Sequence, residues 1–116
     1  MSEIVIYHNP RCSKSRQTLA VLQQQGIEPQ IVEYLITPTS TETLTGILAM
    51  LKMEPQQLMR KGEAIYKELK LKDATYNREQ LIQIMCDNPK LIERPIVITN
   101  GKAKIGRPPE SVLEIL

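Results

Sequence analysis

Residues 3–35 read EIVIYHNPRCSKSRQTLAVLQQQGIEPQIVEYL, and the succession of patterns in this stretch decides the fold. EIVIYH is a continuous apolar run with β-branched residues, the pattern of a central strand covered on both faces. Residues 13–25 carry Thr18, Leu19, Val21 and Leu22 on one helical face, and Gly26 stands where a helix ends in a left-handed residue. PQIVEYL, residues 29–35, is a second strand. Strand, helix and strand in so short a segment predict a right-handed βαβ unit with parallel strands.

The other end of the chain has a different order. RPIVIT at 94–99 and KAKIGR at 102–107 flank Asn100-Gly101, which supplies the two positive-φ positions of a type I′ hairpin turn. Pro108-Pro109 then opens a final helix, ESVLEIL, with Val112, Leu113 and Leu116 on one face. Between the two halves lies helical sequence. Pro38-Thr39-Ser40-Thr41-Glu42 reads as a Thr-x-x-Glu capping box, followed by Leu44, Ile47, Leu48 and Leu51 at helical spacing. Residues 54–71 read as two short helices broken near Lys61-Gly62, and residues 77–88 as a helix capped by Asn77 with Gln80 three residues on. The expected architecture is one α/β domain, residues 1–116: a thioredoxin-like four-stranded mixed sheet (βαβ plus ββα) with a helical insertion at about residues 39–88. Other small α/β sandwiches share this pattern.

Composition narrows the function classes. The chain is 41% hydrophobic and has no Phe or Trp, so Leu, Ile, Val and Met build its core. Lys and Arg total 15 against 13 Asp and Glu, a net charge of +2 that argues against a nucleic-acid or membrane-surface binder and makes any anion site local. Residues 1–8 lack the features of a signal peptide, and no run approaches the ~20 apolar residues of a membrane span, so a cytoplasmic location is expected. Cys12 and Cys86 are too few for a disulfide framework or a thiolate metal site, and no metal is expected. Cys86 lies among Leu, Ile and Met at helical spacing and reads as structural.

Cys12 differs, because it stands where the first strand hands over to the first helix and its sulfur can face unpaired N–H groups. A helix end supplies about 0.3–1 kcal/mol, up to about 2 when sheltered, whereas lowering a thiol pKa from about 8.5 to about 6.5 takes roughly 2.7 kcal/mol. Neighbouring donors must add the remainder. His8, Ser15, Arg11 and Arg16 are near in sequence, with solvated fates expected for the two arginines. The motif is Cys12-Ser13-Lys14-Ser15, not C-x-x-C, and Thr18 occupies the arginine position of a C-x5-R phosphate loop. A monothiol working with an external thiol partner, or an inert cysteine, remains.

YHNPRCSKSRQTL near the start, LMRKGEAIYKEL in the middle and LIERPIVITNGKAKIGRPPESVLEIL at the end together resemble the glutaredoxin-coupled arsenate reductase family, as a short member lacking the C-terminal tail and with Ser13-Lys14 in place of a small Gly-Thr-like pair. The resemblance implies that Cys12 is the nucleophile, that His8 and Ser15 help keep it ionised, and that Arg60, Arg94 and Arg107 bind the oxyanion. Arginine forks suit a tetrahedral anion. It further implies arsenate or a similar oxyanion as substrate, glutathione as co-substrate, glutaredoxin as partner, and no bound cofactor. Two other readings share the fold: a glutaredoxin-like monothiol oxidoreductase not acting on arsenate, and a non-enzymatic RNA-polymerase-binding relative.

Overall fold

A computed structural model describes residues 3–37, 39–72 and 75–116. The chain divides into two compact units, residues 1–37 with 94–116, and residues 38–93. Pro38 of the expected capping segment, and Asp73 and Ala74 within the expected insertion, lie outside the described residues.

The first unit holds β1 (Val5–Tyr7), α1 (Ser13–Gln24), β2 (Gln30–Val32), β3 (Ile96–Thr99) and β4 (Lys102–Ile105). The sheet order is β2-β1-β3-β4. β1 runs parallel to β2, with Ile6 opposite Ile31, and antiparallel to β3, with Ile6 opposite Val97; β3 and β4 are antiparallel. This is the mixed sheet expected from a βαβ half and a ββ half. Ile6, Leu22, Val97 and Val112 form its fully buried core. Val5 and Tyr7, on the other face of β1, are only half-buried, so the strand is fully closed on one face rather than two.

Local chemistry accounts for the element ends. Gly26 adopts φ +77°, and the Gly26 and Ile27 amides donate to Gln23 and Leu22 at 2.9 and 3.1 Å, closing α1. β2 is shorter than its apolar run, because the Ile36 and Thr37 amides both donate to the Glu33 carbonyl and turn the chain after Val32. Asn100 and Gly101 take φ +54° and +71°, as the hairpin turn requires. The C-terminal segment, Pro109–Ile115, is a 3₁₀ helix rather than an α-helix. A threefold repeat places Val112 and Ile115 on the core side and leaves Leu113 and Leu116 exposed, which explains why the α-helical face expected from the sequence does not form.

The second unit contains α2 (Thr41–Leu51), α3 (Pro55–Leu58), α4 (Ala64–Glu68), α5 (Arg78–Asp87) and a 3₁₀ turn at Pro89–Leu91. The N-cap of α2 is Ser40, not Thr39: the Ser40 hydroxyl accepts the Thr43 amide at 3.1 Å, which puts Glu42 one position short of a capping box. Asn77 and Gln80 do form one at α5. Leu44, Ile47, Leu48, Leu58, Leu81 and Met85 are buried within this helical unit. No helix among the described residues is long and apolar enough to cross a membrane.

Candidate active site

Cys12 is the N-cap residue of α1, with extended backbone at φ −94° and ψ 124°. Its own amide donates to the Asn9 carbonyl at 3.0 Å, and its carbonyl accepts the Arg16 amide at 3.0 Å, so the loop from Asn9 is fastened to the first helical turn. The side chain is only 9% exposed. Burial is the largest influence on the thiol and by itself raises its pKa; the Ser15 amide, the Arg94 guanidinium and the Lys14 amide together outweigh it, leaving the thiol below its ordinary value. The two amides act as oriented dipoles, since the sulfur forms no cap hydrogen bond of ordinary geometry.

Arg94 and Arg107 reach this point from the far end of the chain. Arg107 Nη2 donates to Cys12 Sγ at 3.7 Å, and Arg107 Nε donates to the Arg94 carbonyl at 2.9 Å. Arg94 and Arg107 each precede a cis proline, Pro95 and Pro108. The Gly106 amide donates to the Pro95 carbonyl at 2.9 Å, which ties the two segments together behind the guanidinium groups.

His8 and Ser15 are buried and paired with each other, 2.6 Å apart between Nδ1 and Oγ. Ser15 Oγ also accepts the Asn9 amide at 3.0 Å. Burial lowers the His8 pKa; the Glu33 carboxylate opposes this and Arg16 reinforces it, and the net shift is downward, so the ring is neutral near pH 7. The His8–Ser15 pair therefore braces the loop around Cys12 and brings no positive charge to it. Arg11 and Arg16 are exposed, and Arg16 Nη1 donates to the Pro10 carbonyl at 2.9 Å.

Arg60 belongs to the helical unit. There its guanidinium pairs with Glu63 at 2.9 Å and Glu93 at 3.7 Å, and its amide donates to the Leu91 carbonyl at 2.7 Å. Cys86, on α5, is half-buried, and burial, followed by Asp87, raises its thiol pKa, the opposite of an activated cysteine. Among the described residues no cluster of three or more His, Cys, Asp or Glu is arranged to hold a metal ion.

The first-turn amides expected to face Cys12 are those of Lys14 and Ser15, whereas one contributor, Thr18, looked like ordinary helix interior in the sequence. Its hydroxyl donates to the Lys14 carbonyl at 2.8 Å and lies 3.3 Å from the Gly106 carbonyl, joining α1 to the residue before Arg107. The available signal was a polar residue on the inner helical face and a glycine immediately before Arg-Pro.

The arrangement can hold a thiolate beside two guanidinium groups at a helix start, which suits attack on a tetrahedral oxyanion. The chain matches the model of the ArsC family over residues 7–115. It is 57% identical over 98% of its length to an Escherichia coli K12 protein described as uncharacterized protein YfgD, covering 97% of that protein. It is 47% identical to an arsenate reductase of Haemophilus influenzae, covering 97% of this chain and 98% of that one. A solved arsenate reductase structure from Vibrio cholerae superposes with a TM-score of 0.96 at 53% identity, covering 98% of each chain. With its thioredoxin-like sheet and this match over nearly its whole length, the chain belongs to the ArsC family, together with these arsenate reductases.

Proposed function

We propose that the protein is an arsenate reductase that draws its electrons from glutathione and glutaredoxin. One observation carries this reading: a thiol with a lowered pKa at the start of α1 has the Arg107 guanidinium 3.7 Å away and the Arg94 charge acting on it. A thiolate beside two guanidinium forks is a site for an oxyanion electrophile. Arg60 joins Arg94 and Arg107 as an oxyanion ligand on the resemblance of its Leu58-Met59-Arg60 segment, and His8 and Ser15 hold the loop that presents Cys12.

In the proposed reaction the Cys12 thiolate bonds to arsenic(V), and an arsenic-bound hydroxyl takes a proton and leaves as water. Glutathione sulfur then bonds to the same arsenic and displaces a second water. A glutaredoxin thiolate attacks the glutathione sulfur; the bond from that sulfur to arsenic breaks with its electron pair remaining on arsenic, which becomes trivalent. Glutaredoxin leaves as the mixed disulfide with glutathione. Water finally cleaves the bond between Cys12 and arsenic(III), releasing arsenite and the thiol. The lack of a second cysteine at Ser15 accords with this dependence on outside thiols.

The test measures arsenite formed from arsenate, glutathione and glutaredoxin by the wild type and by Cys12→Ser. Turnover by the wild type that falls to background in the variant is expected; arsenite production independent of Cys12 overturns the proposal. Replacing glutaredoxin and glutathione by thioredoxin identifies the reductant, and equal rates would reject the glutaredoxin assignment alone.

A further inference from the structure

A concavity lies beside the loop that leads into Cys12, within the first unit. It has a volume of about 340 Å³ and is bounded by His8, Pro10, Arg11, Glu33, Leu35 and Ile36. That volume falls in the range of small-molecule pockets, roughly 300–1,000 Å³. Two features set it apart from ordinary surface. Leu35 is 39% and Ile36 75% exposed, so the turn after β2 offers aliphatic side chains to solvent at the pocket wall. Arg11 and Glu33 contribute one charge of each sign, and neither enters an ion pair among the described residues.

We propose that this pocket seats the γ-glutamyl end of glutathione, which rests on the reductase reading of the Cys12 site. The γ-glutamyl group carries an ammonium and a carboxylate on one carbon, followed by two methylenes. Glu33 matches the ammonium, Arg11 the carboxylate, and Leu35 and Ile36 the methylenes. A concave site of this size, with one charge of each sign, fits a short zwitterionic peptide better than a broad protein face.

Position supports the assignment. Asn9, Pro10 and Arg11 lead directly into Cys12, and the Cys12 amide is bonded to the Asn9 carbonyl, so the pocket begins one residue from the nucleophile. An extended tripeptide spans about 10 Å. Glutathione held by its γ-glutamyl end therefore keeps its thiol within reach of an oxyanion bound at Cys12. The binding is noncovalent and leaves the order of bond changes given above intact.

S-methylglutathione, which cannot react, is the probe. Titrated into protein labelled at Leu and Ile methyls, it should produce saturable shifts at Leu35 and Ile36, and Arg11→Gln and Glu33→Gln should each weaken that binding about tenfold. Cysteinylglycine, which lacks the γ-glutamyl group, should shift these methyls far less. In turnover, the same variants should raise the KM for glutathione by a similar factor with kcat and the KM for arsenate little changed. Equal binding of S-methylglutathione by wild type and both variants, equal binding of cysteinylglycine, or shifts at these methyls with glutaredoxin alone would overturn the proposal. Protection of Cys12 from alkylation by arsenate needs no glutathione and reads the other site: its absence would reject the reductase reading while shifts at Leu35 and Ile36 still identified the pocket.

Discussion

Gly106 is the residue at which a single methyl group should separate packing from backbone preference. Its φ lies outside the left-handed region, so alanine is conformationally acceptable there. Space is lacking instead: a Cβ would lie 2.8 Å from Pro95 Cγ and 2.9 Å from Thr18 Cγ2, and closer still to Thr18 Oγ1. The first is a ring atom behind Arg94, and the others belong to a β-branched side chain held by the Lys14 carbonyl, so neither neighbour yields freely. Overpacking of this kind costs about 1–3 kcal/mol. At roughly 4 °C per kcal/mol for a domain of this length, Gly106→Ala should lower Tm by about 4–12 °C, measured by calorimetry. Thr18→Ala removes both threonine contacts, so the double variant should recover part of the loss, a coupling that a double-mutant cycle reports directly. The same displacement moves Arg107, one residue on, away from Cys12, and the thiol alkylation midpoint should change in parallel. A Gly106→Ala protein with unchanged Tm, or a double variant whose losses simply add, would refute the steric account.

Alkylation of Cys12 followed against pH should give a midpoint below the usual value of about 8.5, and Arg94→Ala should raise it where Arg11→Ala does not; a wild-type midpoint at the usual value would contradict the arrangement of charges around the sulfur. Because the folded thiol is depressed, its contribution to stability is full above about pH 8.5 and is lost as pH falls through the folded pKa; urea unfolding of Cys12→Ser should lack that slope. His8→Ala leaves the Ser15 hydroxyl buried without its 2.6 Å partner, a loss of about 1–3 kcal/mol in denaturant unfolding, yet should move the Cys12 midpoint less than Arg94→Ala. The neutral His8 also means that wild-type stability should fall as pH drops below about 6.5, and the variant should lose this dependence. Gly101→Ala, at φ +71° in the hairpin turn, should cost about 1–2 kcal/mol, with Gly101→Asn milder.

Much of the fold was legible because its determinants are local. The apolar run at 3–8, the helical face from Thr18 to Leu22, the glycine that ends α1, the Asn77–Gln80 box and the Asn100-Gly101 turn each specify a conformation within a few residues. Errors occurred where adjacent residues compete for one role. Ser40 displaced Thr39 as a cap because its hydroxyl meets the Thr43 amide, and the C-terminal segment tightened to a threefold repeat that reassigned which leucines face inward.

The candidate site divides along the same line. Cys12 at a strand-to-helix junction is readable from the chain alone, since the exposed amides of a first helical turn follow from the junction itself. Arg94 and Arg107 were found through a motif resemblance, not from local pattern, because the contact between Arg107 and Cys12 spans 95 positions and exists only once β3 and β4 have closed beside β1. The state of His8 was not readable: the sequence offers it as a donor that helps ionise the thiol, whereas burial makes it neutral and it bonds to Ser15. What the sequence determined by itself was the order of elements and the place of the candidate nucleophile, which depend on short-range periodicity and capping. Tertiary structure decided which charges surround that thiol and which groups stay neutral, because desolvation and charge proximity are set by chain segments distant in sequence that meet only in the folded state.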